Sequence, residues 1–286
     1  MSRPILVGRV NLVLRENVME KKPLISVLMG VYYQRPDVAL LVRSVNSILQ
    51  QSVADFELLI CDDGSNEIAC AFLDETVRRD KRVKLVRPRN AFALAVKLNH
   101  CLTEARGQWI ARMDDDDYSY PERFAKQLNY LQQHQEIAFV GCNVNLVCDG
   151  AVVGQRNFAE WPQVRDFYFK QPFIHPGLLF RREALEEVGG YSEAKRQLLC
   201  EDCDLLLRLY KAGYKGANLQ ETLLDYTVPA TAKGSRKMKH RWNEAVTRYG
   251  RFKELGVLPG ALPYVVKPLA VGLLPEFILR KMKKNL

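Results

Sequence analysis

A chain of 286 residues can bury one large core, and 48% hydrophobic with 26% charged residues excludes disorder as its main state. The net charge of +9 is concentrated: residues 226–286 hold 13 Lys/Arg against 3 Asp/Glu, leaving 29 against 30 in the first 225. A near-neutral body with a basic tail points to a polyanionic partner, either nucleic acid or anionic lipid.

Seven cysteines, an odd number without a disulfide-like pattern, suit reduced thiols in a cytoplasm-facing protein. Cys200 and Cys203 form a Cys-x-x-Cys pair, but no second pair or histidine stands at zinc spacing. Arg9, Arg15 and Glu16 interrupt any secretory apolar run. Nowhere are about 20 apolar residues uninterrupted, which argues against a conventional membrane span.

Residues 1–22 read as an N-terminal extension, and Met19 is an alternative start. Residues 24–31 are a β-rich run. Pro36 opens a helix with Val38, Leu41, Val42, Val45 and Leu49 on one face. A strand at 56–61 ends in Asp62, Asp63, Gly64 and Ser65; helix is expected at 67–79, strand at 83–86, helix at 91–106 and strand at 108–113. This alternation predicts parallel βαβ units with helices on both faces, and ligands of such sheets bind beyond the carboxyl ends of the strands. Both acidic clusters, Asp62 with Asp63 and the four aspartates at 114–117, fall at such ends. Farther on, Pro121 starts a helix, 137–147 and 178–180 are strand-like, 152–158 form a hairpin arm, and 201–212 are helical.

Four consecutive aspartates oppose one another, which raises carboxyl pKa values or calls for a cation. Hard oxygen donors suit Mg²⁺ or Mn²⁺, with substrate phosphate completing the shell. A solvated acidic turn is the other reading, and the Asp-Asp-Gly-Ser stretch reads equally as a tight connection. Glu201 and Asp202 open a helix, where the dipole favours carboxylates; alternatively, one is a general base.

Taken together, residues 25–32, the Asp-Asp-Gly-Ser stretch and the aspartates 114–117 followed by Pro121, Glu122 and Arg123 form a recognisable series, completed by Gly189, Gly190, Tyr191, Glu201, Asp202 and Arg208. It resembles the family 2 glycosyltransferases, in particular the bacterial exopolysaccharide-operon transferases of the EpsE type. The resemblance implies an α/β GT-A (Rossmann-like) fold, mostly a parallel sheet with helices on both faces, over residues 23–226. It implies a metal-dependent, inverting transfer of sugar from a nucleotide diphosphate, commonly UDP, to a saccharide or polyprenyl-diphosphate-linked acceptor. Gly30 and Tyr32 would line the base pocket, Asp63 would bind the base, and Asp115 would lie near the ribose. Asp114 and Asp116 hold the outer places of the Asp-x-Asp motif, with Asp116 on Mn²⁺ or Mg²⁺. Asp202 would be the base, with Glu201 and His175 toward the acceptor.

The likeness has departures. Tyr33 stands where many relatives carry Asn, and residues 89–94 lack a glycine often found there. Arg89 and Lys97 read as surface charge, with phosphate contact as the other reading. His175 reads equally as an ordinary loop histidine, and Trp109 and Trp161 as packing residues. Residues 227–286 form a basic, amphipathic segment in which Lys233, Arg236, Lys237, Lys239, Arg241, Arg248, Arg251 and Lys253 precede an apolar stretch at 262–279. Pro263, Lys267, Pro268, Pro275 and Glu276 spoil a straight span there, which suits an interfacial anchor at the inner face of the cell membrane or a helical cap. A nucleotidyltransferase would share paired carboxylates, but no glycine-rich phosphate loop follows the first strand. A nucleic-acid-binding module would use the tail, but no such motif accompanies it, and nucleic acid is not an expected partner.

Overall fold

The computed structural model describes residues 22–88, 91–229 and 237–273. The expected N-terminal extension through residue 21, Arg89, Lys233, Arg236 and the final basic stretch from 274 lie outside the described residues.

Strands β1 (Ile25–Val31), β2 (Phe56–Asp62), β3 (Val83–Val86) and β4 (Trp109–Arg112) alternate with helices α1 (Ala39–Leu49), α2 (Glu67–Arg79) and α3 (Leu94–Glu104). They pair in parallel in the order β3-β2-β1-β4. Strands covered on both faces need apolar side chains on both, which is why β1 and β2 read as near-continuous apolar runs. Ile25, Val27 and Met29 face α1 and α4 (Arg123–Gln133) across one core, with Leu41, Val45, Phe124 and Leu128. Leu28, Leu59 and Cys61 face α3 across the other, with Leu98 and Cys101. Because β1 lies between β2 and β4, the chain reverses its winding direction there, and the crevice beyond the carboxyl ends of β1 and β4 is a natural ligand site.

The second half is mixed rather than mostly parallel. β8 (Leu179–Arg181) runs antiparallel between β4 and β6 (Ile137–Cys148), β7 (Ala151–Arg156) forms the expected hairpin on β6, and β9 (Lys215–Thr227) runs parallel to β6. The 13-residue β9 escaped the sequence reading because its polar stretch Gln220, Glu221 and Thr222 breaks apolar alternation; the structure accommodates it with register shifts around Cys142 and Asn143. The short β5 (Tyr118–Ser119) pairs antiparallel with the end of β9.

Helices α5 (Arg182–Glu187) and α6 (Glu201–Lys211) close the second core, and α7 (Met238–Glu254) packs on α6 and on α8 (Leu262–Leu273). Two of the tail's arginines serve this docking. Arg251 pairs with fully buried Asp204 at 2.7 Å, and Arg248 donates to the Phe167 carbonyl at 2.6 Å. Lys237, Lys239 and Lys253 stay exposed. Among the described residues, no helix is long and apolar enough to cross a membrane.

Candidate active site

The two aspartates after β2 divide their work. Asp62 builds the turn: its carboxylate accepts from the Ser65 amide at 3.1 Å and from Arg87 Nε at 3.1 Å. These bonds hold its pKa below the usual carboxylate range although burial pushes the other way. Gly64 takes φ +83°, and Ser65 Oγ accepts from the Tyr33 amide at 2.9 Å, tying this loop to the one after β1. Asn66 then caps α2 by accepting from the Ala69 amide. Asp63 is 8% exposed, with Oδ2 buried and lacking a hydrogen-bond partner.

Gly30 lets α3 close on β1, since a Cβ there would stand 2.8 Å from Leu94 Cδ1 and 3.2 Å from Lys97 Cβ. Gly30 is thus a close-packing position between β1 and α3. This close approach carries Lys97 inward, and the reading of Lys97 as surface charge is corrected: it is 5% exposed, with Nζ donating to the Val31 carbonyl at 2.9 Å. Its ammonium lies 5.3 Å from the ring centroid of Tyr32, which is 60% exposed.

After β4, Asp114 is bound by buried Arg112 at 2.5 Å, Asp116 by Arg35 at 3.2 Å, and Asp117 Oδ1 accepts from the Thr227 amide at 2.7 Å. Burial, followed by repulsion from Asp116 and Asp114, pushes the Asp115 carboxyl up to about 7. Burial and Asp114 raise Asp116 and Asp117 as well. The cluster is thus short of positive charge even with two arginines beside it.

Arg123 of the Pro-Glu-Arg stretch is a framework residue. Fully buried, it joins the Arg112 carbonyl to the Pro176 carbonyl, each at 3.0 Å, and so fixes the one-turn 3₁₀ segment His175–Gly177 behind the aspartates. His175 is 7% exposed and its Nε2 lies 2.9 Å from the Tyr191 hydroxyl; burial, then Arg112, pushes its pKa well below 6.5. Tyr191 is set in turn by Asn99, which bonds both its amide and its carbonyl. Gly190 precedes it at φ +66°, where a Cβ would meet Asn99 Oδ1 at 2.9 Å. Arg208 reaches back from α6 to the Val188 and Gly190 carbonyls.

At the first turn of α6, Asp202 accepts from Gln171 Nε2 at 2.6 Å, and Glu201 is 8% exposed with a pKa raised by burial and by Asp202. Tyr191 feels the charges of Asp202, Glu201 and Asp114 together, and Lys97 those of Asp63 and Asp115. Asp63 follows β2, the aspartate cluster follows β4, and Glu201 and Asp202 open α6. Sequence reasoning missed Arg35, Arg112 and Gln171 here; an isolated Arg or Gln carries no motif, and only the fold brings each to a carboxylate. Trp109 packs in the core as expected, whereas Trp161 is 43% exposed beside Tyr130 and His134.

Among the described residues, no three His, Cys, Asp or Glu side chains gather as a ready cation cage. The donors fit a divalent cation in another way: such ions commonly take one or two carboxylates and complete the shell with phosphate and water. Crowded carboxylates with raised pKa values at a strand end are what such an ion relieves.

Comparison with known proteins agrees with this architecture. The Glycosyl transferase family 2 profile matches residues 26–189, and that of Glycosyl transferase family group 2 matches residues 109–273. The chain is 31% identical over 268 residues to the putative glycosyltransferase EpsE of Bacillus subtilis, covering 93% of this chain and 95% of that one. It is 32% identical to the O-antigen biosynthesis glycosyltransferase WbnJ of Escherichia coli over 72% of this chain and 80% of that one. Among solved structures, S. aureus TarS 1–349 with UDP-GlcNAc superposes with a TM-score of 0.65 at 17% identity, covering 85% of this chain and 72% of that one. The mannosyltransferase PcManGT of Pyrobaculum calidifontis, with GDP-Man and Mn2+, superposes with a TM-score of 0.60 at 18% identity over 93% and 80%. The chain belongs to glycosyl transferase family 2 and is a glycosyltransferase of the GT-A fold.

Proposed function

We propose that this glycosyltransferase acts in surface-polysaccharide synthesis, moving a sugar with inversion from a UDP-sugar to a saccharide or polyprenyl-diphosphate-linked saccharide. The observation that carries this reading is the aspartate cluster after β4, where crowded carboxylates at a strand end have raised pKa values and call for a cation, while Asp63, with a buried Oδ2 lacking a partner, follows β2 of the same sheet. The relative named for O-antigen biosynthesis, and neighbours holding UDP-GlcNAc or GDP-Man with Mn2+, support it.

In this reading Asp63 takes the N–H of the base, beneath Tyr32, and Asp115 takes the ribose. Asp116, with Asp114 beside it, holds Mn²⁺ or Mg²⁺. The ion, when bound, offsets charge developing on the departing diphosphate. Asp202, held by Gln171, accepts the proton of the acceptor hydroxyl, which displaces the diphosphate from the opposite face of the anomeric carbon. One displacement inverts the configuration. Glu201 lines the acceptor side, with His175 behind it through Tyr191.

The division into a catalytic body at 23–226 and an accessory tail at 227–286 belongs to the same proposal. So does peripheral attachment at the cytoplasmic membrane face. Exposed Met238, Trp242 and Tyr249 on α7, with Lys237, Lys239 and Lys253, give the tail an apolar and cationic face suited to anionic lipid.

A panel of radiolabelled nucleotide sugars with Mn²⁺ and a lipid-diphosphate acceptor tests the whole reading. Transfer from a UDP-sugar, abolished in Asp202→Asn and dependent on Asp116 for metal-stimulated donor binding, is expected. Donor-independent protection by RNA alone would point instead to a nucleic-acid partner.

A further inference from the structure

Lys97 is a buried cation outside the mechanism described above. Its hydrogen bond to the Val31 carbonyl, the one its side chain makes among the described residues, uses one of the three N–H groups of an ammonium. Asp63, whose field Lys97 feels most strongly among the nearby carboxylates, keeps a buried Oδ2 with no partner. Among the described residues no ion pair joins the two. A buried donor with N–H groups to spare and a buried acceptor therefore lie within electrostatic reach, unsatisfied by each other, with an aromatic ring 5.3 Å from the ammonium. Burying such groups is costly unless a ligand completes them.

We infer that Lys97 is a specificity-determining residue for the donor nucleotide, donating to a ring carbonyl while Asp63 accepts from the adjoining ring N–H. The pair selects a base whose edge carries an N–H flanked by C=O. Uracil has that edge at N3 and its neighbouring carbonyls. Cytosine reverses it: N3 has no proton, and position 4 carries an amino group that would face an ammonium. Where Lys97 reads position 4, cytosine leaves it facing an amino group and Asp63 facing an unprotonated N3, the arrangement that gives polar sites their largest discrimination. Gly30 is what makes this reading geometry available, because only a residue without Cβ lets α3 bring Lys97 so near β1.

The inference rests on the donor reading above, and its test separates the two. Binding of UDP and CDP to the full-length protein with Mn²⁺ is measured by titration calorimetry, in wild type and in Lys97→Met. Wild type is expected to favour UDP by about tenfold or more. In Lys97→Met, UDP should weaken about tenfold while CDP changes little, so that the preference shrinks. Equal weakening of both nucleotides would mean that Lys97 acts on phosphate or on the fold, and no change in either would mean that it acts on nothing bound; both results overturn the inference. Should the variant not fold, wild type with 2-thio-UDP and 4-thio-UDP decides: sulfur accepts hydrogen bonds poorly, so one analogue should bind about tenfold more weakly than UDP. Equal binding of both analogues and UDP overturns the inference. Binding of neither UDP nor CDP removes the donor reading, and this inference with it; binding without discrimination through Lys97 removes this inference alone.

Discussion

Arg35 Nη2 stands 3.2 Å from Asp116 Oδ2, so the carboxylate proposed for the cation already faces a guanidinium. Cation and arginine compete for the same oxygens. Exposure of both side chains holds their pair to less than about 1 kcal/mol, which limits the competition to several-fold. Arg35→Gln is therefore expected to lower, by about two- to fivefold, the Mn²⁺ concentration that half-saturates UDP binding. If that concentration instead rises, Arg35 contributes more to the donor phosphates than it takes from the metal.

Asp202→Asn keeps the shape of the first turn of α6 and the neighbourhood of Gln171 but removes the proton acceptor. Loss of a general base costs about 10²- to 10⁴-fold in rate. UDP affinity measured calorimetrically should stay within about twofold of wild type, while kcat for transfer falls by that factor. Transfer at the normal rate would assign the proton to another group, with Glu201 the adjacent carboxylate to examine.

Much of the first half was legible because its signals are local. The runs at 25–31 and 56–61 are apolar, the second leads into an acidic turn, and α2 begins at a capping Asn66 with Glu67 in its first turn. The aspartates at 114–117 could be placed at a strand end by counting. What could not be read depends on partners far apart in the chain. Lys97 looked like surface charge because nothing local says that Gly30, 67 positions earlier, lets its helix approach. Arg248 and Arg251 looked like part of a lipid-binding cluster, yet the Phe167 carbonyl and Asp204 turn both inward. β9 was invisible because its pairing with β6 tolerates shifts that spoil any periodic pattern.

His175 offers a pH test with a definite sign. Burial, reinforced by Arg112, lowers its pKa in the folded protein well below the ordinary 6.5. The unfolded chain then binds the additional proton as pH falls through 6.5, so the histidine's contribution to stability is complete above that pH and is lost below it. Asp115, with its carboxyl raised to about 7, and Glu201, raised by burial, act in the opposite direction. The measurable quantity is therefore the difference between proteins. From pH 7.5 to 5.0, the melting temperature of wild type should fall more, or rise less, than that of His175→Gln. Parallel curves would show that His175 titrates alike in both states.

Asp204 is the buried junction between α6 and α7. Its two oxygens pair with Arg208 at 2.8 Å on its own helix and with Arg251 at 2.7 Å on α7, and its side chain is fully enclosed. Removing one member of such a network strands the others without water, at a cost of about 3–5 kcal/mol. Asp204→Ala is expected to lower the melting temperature by several degrees. Hydrogen exchange should rise first in residues 238–254 and in the Gly189–Gly190 turn, because Arg208 also holds the Val188 and Gly190 carbonyls. That turn leads directly into Tyr191, so the same substitution should also disturb the His175 contact and reduce transfer. Arg251→Met separates the two effects: it should raise exchange in α7 alone and leave the turn protected, because Arg208 keeps its carboxylate. If Arg251→Met exposes the Gly189–Gly190 turn as readily as Asp204→Ala does, the tail itself, rather than Asp204, holds the acceptor side in place.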